Sequence, residues 1–255
     1  MMTTVKSVLD FLNTIAPQEL AMDWDNPGLQ AGSPGACVRR ILVALDPFED
    51  VCREASQWGA DMIVTHHPLI FHPLKNVTDE TPVGRCLRLL LKNDISLWSG
   101  HTNLDVAHGG VNDVLAQTLG LQNIQSIPPE NLLRWGLIPQ QSLTDFLSMV
   151  KTKLGCTYLR YTDGGKPCHR IAVGGGACAS EMRWALDAGC DTFVTADVKY
   201  NQFWDAADFG LNIIDAGHFY TENPVCAMLC AALQQAFPDL EVRSSQIHRD
   251  CMKFF

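Results

Sequence analysis

Two stretches of the chain share one pattern of apolar and polar positions. They are RILVALDPFEDVCREASQWGADMIVTHH, which starts at Arg40, and RIAVGGGACASEMRWALDAGCDTFVTAD, which starts at Arg170. Each contains an apolar run, an amphipathic segment, a glycine and a second apolar run. Short continuous apolar runs rich in Val and Ile favour buried parallel strands, and the segment between them favours a helix. Each stretch is therefore predicted to form a βαβ unit.

The two stretches also match residue by residue. They align without a gap at a constant offset of 130 residues, and nine of their 28 positions are identical, polar positions among them. Farther along, one half contains Gly-His-x-x-x-Asp at 100–105 and the other contains Gly-His-x-x-x-Glu at 217–222, each after a short apolar strand. We therefore predict an α/β fold built from duplicated units. The predicted halves are 1–124 and 125–255, intertwined and facing each other across a pseudo-twofold axis.

Composition narrows the class of protein. The 255 residues carry a net charge of −9 without a dense Lys/Arg run, which disfavours nucleic-acid binding. The apolar runs are all shorter than the roughly 18 residues of a membrane span, and MMTTVKSVLDFLNTIAP at the start predicts an amphipathic helix. The ten cysteines are scattered and form no C-x-x-C pair, so we expect small buried thiols in a reducing, cytoplasmic compartment.

Imidazoles and carboxylates follow the predicted strands at equivalent places. In parallel α/β units the carboxyl ends of the strands meet at one edge, where ligands bind. Taken singly, an adjacent His pair or a His-x-x-x-Asp motif is more often a buried or surface hydrogen-bonded group. Together these groups predict a site for divalent Zn, Mn or Fe. Five or six ligands are too many for one open tetrahedral ion, so a pair of bridged ions fits them better. The candidate ligands are His66, His67, His101, Asp105, His218 and Glu222.

Other polar features are weaker candidates. Asp197 aligns with His67 in the duplication, so we expect it to support the same site from outside the ligand set. The run GGGA at 174–177 favours a tight strand-to-helix turn over a phosphate site, because it lacks the usual nucleotide-binding spacing. Structural or surface roles are expected for the remaining histidines, which are His72, His108, His169 and His248.

Taken in order, several motifs resemble one family over residues 4–250. They are MDWDNPGLQAG, VTHHPLIF, GHTNLD, IAVGGGA, VTADVKYNQ and AGHFYTE. The chain is similar to the Nif-three-like, or dinuclear metal-centre, family, in its compact form without an inserted domain. The resemblance implies mixed sheets and a hexameric ring. One departure concerns Asn201, which stands where many members have a histidine, so the resemblance implies no histidine role in substrate handling or proton transfer at this position.

The resemblance also implies a ligand set. His66, His67, Asp105, His218 and Glu222 correspond to the ligands of the family's two-metal site, and His101 corresponds to a weaker ligand or a supporting group. The catalytic residue is not assigned by this correspondence.

Two functions remain open at this stage. The leading hypothesis is a metal-dependent hydrolase that acts on a nucleotide-like or phosphorylated small molecule, with GTP cyclohydrolase I type 2 chemistry as the activity that the resemblance implies. The alternative is a non-catalytic metal-binding ring that regulates or contacts other proteins. Five protein ligands on two ions would leave open coordination positions, which favours the enzyme.

Overall fold

Helices and strands alternate along most of the chain in the computed structural model, which describes residues 2–253. The helices are α1 Val5–Ile15, α2 Glu49–Trp58, α3 Pro82–Lys92, α4 Thr102–Val106, α5 Val111–Leu119, α6 Leu143–Leu154, α7 Met182–Asp187, α8 Tyr200–Asp208, α9 His218–Glu222 and α10 Pro224–Ala236. The strands are β1 Gly28–Ala31, β2 Arg40–Ala44, β3 Met62–Thr65, β4 Ser96–Ser99, β5 Gln122–Ser126, β6 Arg134–Gln141, β7 Arg160–Thr162, β8 Cys168–Val173, β9 Thr192–Thr195, β10 Asn212–Asp215 and β11 Glu241–Ser244.

The chain divides into two compact units. One contains the residues up to Ala107 together with those from Val225 onward, and the other contains His108–Pro224. These units differ from the contiguous segments 1–124 and 125–255 expected from the sequence. The difference arises because β11 returns to pair with β2 in the first unit, whereas α5 packs on the sheet of the second.

The first unit is a mixed α/β layer structure. Within the described residues its sheet has the order β1-β4-β3-β2-β11, with β1 antiparallel to β4 and the other neighbours parallel. The helices α2 and α3 pack together beside this sheet, and Leu42, Ile63, Leu90 and Leu97 are fully buried in the shared core. Every residue of β3 and β4 is buried, as expected for central strands covered on both faces.

The second unit has the same central layout. Among the described residues its sheet has the order β5-β6-β8-β9-β10-β7, in which β8, β9 and β10 are parallel and the outer strands are antiparallel. Buried clusters that contain Phe146 and Phe193 pack against it. The prediction of duplicated α/β units with mixed sheets is therefore confirmed.

The internal duplication is visible in strand register and in one hydrogen bond. The pairing of β2 with β3 and the pairing of β8 with β9 have the same register at an offset of 130 residues. Asp61 accepts the backbone N–H of Arg40 at 2.9 Å, and Asp191 accepts that of Arg170 at 2.7 Å. The repeated polar positions are thus explained by a carboxylate that ties the start of one strand to the turn before the next.

Local signals near the start of the chain were also interpreted correctly. The predicted amphipathic helix is α1, and Thr4 and Ser7 cap its first turn reciprocally.

Most cysteines are buried as expected, but Cys37 and Cys251 are exposed, which corrects the expectation of ten buried thiols. Within residues 2–253, every helix is too short or too polar to span a lipid bilayer.

Candidate metal centre

The predicted histidines of the first unit lie at the carboxyl edge of its sheet. His66 and His67 directly follow β3, and His101 comes two residues after β4. The amides of His66 and His67 both donate to the carbonyl of Leu45, at 3.2 and 3.0 Å, so the chain turns sharply where the strand ends. The ring centroid of His66 lies 4.8 Å from that of His67 and 5.3 Å from that of His101. Ring nitrogens of these three side chains, the imidazole cluster, lie within 4.8 Å of one another.

Asp105 lies beside the most buried ring of the imidazole cluster. His66 is completely buried, and its Nδ1 is 2.8 Å from the carbonyl oxygen of Gly100. Its Nε2 is 3.6 Å from Oδ1 of Asp105, which is also buried. Because the carbonyl of Gly100 engages Nδ1, Nε2 is the ring nitrogen that would bind a metal, and the Asp105 carboxylate is close enough to join it.

His67 is oriented by a carboxylate that sequence reasoning missed. Oδ1 of Asp46 accepts from Nδ1 of His67 at 2.6 Å, and Oδ2 of the same carboxylate is 2.9 Å from Nε2 of His248. Burial raises the pKa of Asp46, but the hydrogen bonds from His248 and His67 lower it well below its usual range. Asp46 follows β2, so it stands at the same sheet edge as the histidines.

His101 is oriented in the same way. Its Nδ1 is 2.8 Å from Oδ1 of Asp25, and Oδ2 of Asp25 accepts the backbone N–H and the hydroxyl of Thr102, at 3.0 and 2.5 Å. Burial raises the pKa of Asp25, yet the hydrogen bonds from His101 and Thr102 lower it to about 2. Asp25 belongs to the DWDNPG segment, whose chemical role could not be inferred from spacing alone.

The second unit carries the other predicted ligands at its own sheet edge. His218 and Glu222 begin and end α9, and Nε2 of His218 is 3.0 Å from Oε2 of Glu222. Nδ1 of His218 is 2.7 Å from Oδ2 of Asp197, so Asp197 orients the ring of a predicted ligand, and its support of a metal site stays a prediction. Burial lowers the pKa of His218, but the hydrogen bonds with Asp197 and Glu222 raise it to about 11. A divalent cation bound at Nε2 of His218 would replace the proton on that nitrogen.

The glycine run after β8 allows close packing against this pair. Gly176 has φ +61°, and a Cβ at that position would lie 2.1 Å from Oε1 of Glu222 and 3.0 Å from Nε2 of His218. The amides of Gly175 and Gly176 donate to the side chains of Asn112 and Thr221, at 2.7 and 3.0 Å. With those N–H groups engaged, the run is the tight turn that we expected and not a phosphate site.

One chemical pattern unites the predicted sites of the two units. His66, His67, His101 and His218 each place Nδ1 against an oxygen acceptor. An acceptor at Nδ1 fixes the tautomer and makes Nε2 the nitrogen that binds a metal. With carboxylates nearby in each unit, these donors fit a divalent transition metal.

The remaining histidines lie largely as expected. The side chain of His108 is fully exposed, and Nδ1 of His169 is 2.6 Å from the carbonyl oxygen of Ile138. His248 has a structural role, as expected, but close to the predicted ligands, because it shares the Asp46 carboxylate with His67. No local pattern near residue 248 indicates this contact, since the two partners are 202 residues apart in sequence.

The chain is similar to known proteins over nearly its whole length. The profile of the Duf34/NIF3 family, described as NGG1p interacting factor 3, matches residues 3–251. The chain belongs to the Duf34/NIF3 family. A Clostridium perfringens family relative named "GTP cyclohydrolase 1 type 2 homolog" is 33% identical over 259 residues, which cover 98% of this chain and 99% of the relative.

Solved structures with NIF3-like folds match the whole chain. A Bacillus cereus protein related to NIF3 superposes with a TM-score of 0.93 at 25% identity, covering 100% of this chain and 99% of that one. A Staphylococcus aureus protein superposes with a TM-score of 0.91 at 27% identity, covering 99% of both chains. Family membership and fold are therefore established, and groups able to hold a metal occur where the family motifs lie.

Proposed function

We propose that this chain is a cytoplasmic metal-dependent hydrolase in which His66, His67, Asp105, His218 and Glu222 hold two divalent ions. The observation that carries the proposal is the repeated orientation of imidazoles by oxygen acceptors at Nδ1. Surface histidines rarely need such fixed acceptors, whereas metal-binding histidines almost always have them. We propose Zn, Mn or Fe as the ions, because these metals accept mixed imidazole and carboxylate ligands.

The residues around the ligands have defined tasks in this proposal. Asp46 and Asp197 hold the rings of His67 and His218, and Asp25 holds His101, a weaker ligand or a supporting group. When bound, a pair of ions would supply a nucleophilic water at neutral pH and polarise the group under attack. The ligand carboxylates of Asp105 and Glu222 are buried, which limits their contact with bulk water and strengthens their interaction with cations.

The name of a relative supports the proposed substrate class. We propose a nucleotide-like or phosphorylated small molecule, with GTP ring opening as the first reaction to test, because a close relative is named "GTP cyclohydrolase 1 type 2 homolog". We propose no single general base: Glu222, Asp197 and a hydroxide supplied by the ions are the candidates for that role.

A metal and activity assay on matched variants tests the proposal. Protein purified with Zn, Mn or Fe is measured for bound metal by mass spectrometry and for hydrolysis of GTP and of phosphoester substrates. We expect Glu222→Gln to lower metal content and to remove turnover while the fold is retained. Glu54→Gln is the matched control, because Glu54 is also buried but accepts hydrogen bonds from Ser245 and from the amide of Gln246.

The control variant should retain wild-type metal content and turnover. Equal rates for wild type and Glu222→Gln on every substrate would contradict the enzyme proposal. Metal-supplemented wild-type protein that binds no metal would contradict the metal centre itself.

A second candidate is a non-catalytic metal-binding ring that contacts or regulates other proteins. The family description, NGG1p interacting factor 3, favours it, because that description names an interaction and not a reaction. Bound metal near two ions per chain without turnover of any substrate would support this candidate. We further propose that the protein assembles with itself as a hexameric ring, which native mass spectrometry would test directly.

A further inference from the structure

Two exposed aromatic rings stand beside the imidazole cluster of the first unit. The side chains of Trp24 and Phe71 are 63% and 42% exposed, and their ring centroids are 5.9 Å apart. Each ring also meets His101, with centroid distances of 6.1 Å for Trp24 and 6.0 Å for Phe71. We call Trp24 and Phe71 the aromatic patch. It contacts a member of the imidazole cluster directly.

Hydrogen bonds fix the two loops that carry the aromatic patch. Nδ2 of Asn26 donates to the carbonyl of Ile70 at 2.6 Å, and the amide of Ile70 donates to Oε1 of Gln30 at 3.1 Å. Nε2 of Gln30 donates in turn to the carbonyl of Asn26 at 2.7 Å. Asp25, next to Trp24, is held by His101. The rings are therefore preorganised in an exposed position, which lowers the entropy cost of binding a ligand there.

The size of the aromatic patch favours a small ligand over a protein. Trp and Phe side chains offer about 150–250 Å² each when fully covered, so the exposed parts of these two rings amount to about 160–260 Å². A stable protein interface buries about 800 Å² on each partner. A planar ring of a small molecule matches the available area, because aromatic faces and edges bind such rings favourably.

We propose that Trp24 and Phe71 bind the planar heterocyclic ring of a small-molecule ligand whose polar end reaches the imidazole cluster. This inference rests on the proposed metal-dependent function and specifies its substrate class, namely a molecule with an aromatic heterocycle at one end and a metal-binding group at the other. Trp24 and Phe71 are binding residues in this proposal and take no part in the chemical step.

Paired probes that differ only by the ring test the inference. Guanosine 5′-monophosphate and ribose 5-phosphate are titrated calorimetrically into metal-loaded wild-type protein and into Trp24→Ala, Trp24→Phe and Trp204→Ala variants. Base–aromatic stacking predicts that Trp24→Ala weakens binding of the nucleotide about 5- to 150-fold and leaves that of ribose 5-phosphate unchanged. Trp24→Phe should restore most of the affinity. Trp204 is the matched control because it is 61% exposed but lies on α8.

Separate measurements distinguish failure of this inference from failure of the proposed function. Metal content is determined for each sample, and guanosine is compared with ribose on metal-free protein, so ring binding is tested even if no metal binds. Unchanged nucleotide affinity in Trp24→Ala overturns the inference. The inference is also overturned if Trp24→Ala alters the oligomeric state while nucleotide binding is unaffected, since the aromatic patch would then be an interface between copies of the chain.

Discussion

Replacing Asp46 by Asn tests whether oriented imidazoles make this a metal site. The Asp46 carboxylate accepts from His67 at 2.6 Å and contacts His248 at 2.9 Å, and only 16% of its side chain is exposed. The side-chain amide of Asn has only one acceptor oxygen. In Asp46→Asn its NH₂ group would take the place of one carboxylate oxygen, and would therefore face the ring nitrogen of either His67 or His248. In Asp46→Asn at most one of the two imidazoles therefore retains its acceptor.

The size of the effect follows from this geometry. Loss of a partner that orients a metal-binding histidine typically weakens metal affinity about 10- to 100-fold, or about 1.4–2.7 kcal/mol. Loss of one hydrogen bond to a buried charged group also lowers the free energy of unfolding of metal-free protein by about 1.5–3 kcal/mol. We expect both effects in Asp46→Asn, with the fold retained.

Competition titration measures the metal affinity, and urea unfolding measures the stability. Zn²⁺ and Mn²⁺ are titrated against a chromophoric chelator, and unfolding is followed by circular dichroism with EDTA present. Asp61→Asn is a suitable control, because Oδ2 of Asp61 accepts the backbone N–H groups of Arg39 and Arg40, which an amide oxygen can continue to do. If Asp46→Asn binds both metals as tightly as wild type, or if both variants lose affinity equally, the reasoning is refuted.

Two further predictions concern packing and pH. Gly176→Ala should abolish metal binding and destabilise the fold, because its Cβ would lie 2.1 Å from Oε1 of Glu222. Gly189→Ala is the control, because Gly189 has φ +75° but no atom lies within 4 Å of an added Cβ. Mass spectrometry should find normal metal content in this variant, and urea unfolding should find a loss of only about 1–2 kcal/mol in the free energy of unfolding. Equal metal loss in both variants would show that backbone strain alone disrupts the site. Asp25 has a folded pKa of about 2 against an ordinary value of 3.8, so the stability that it contributes is present above about pH 4 and is lost as pH falls towards 2. In urea unfolding with EDTA present, the free energy of unfolding of wild type should fall by about 1–2 kcal/mol more across that pH range than that of Asp25→Asn. Parallel pH profiles of the two proteins would contradict this role of Asp25.

Much of the architecture could be read from apolar periodicity and the internal repeat. The parallel strands β2, β3, β8 and β9 appear where the apolar runs lie, since strands covered on both faces need continuous hydrophobic residues. Boundaries between units could not be predicted in this way. The pairing of β11 with β2 depends on contacts between segments about 200 residues apart, and no local pattern encodes that partnership.

For the candidate site, too, some features could be predicted from the sequence and others could not. Strand ends place His66, His67 and His218 at sheet edges, so the sequence alone determined which side chains are available as metal ligands. The tertiary structure alone revealed Asp46 and Asp25 as the acceptors for His67 and His101, which are 21 and 76 residues away in sequence. The physical reason is that a ligand's residue type is set by chemistry at one position, whereas its ring orientation is set by a hydrogen bond that exists only after distant loops have packed together.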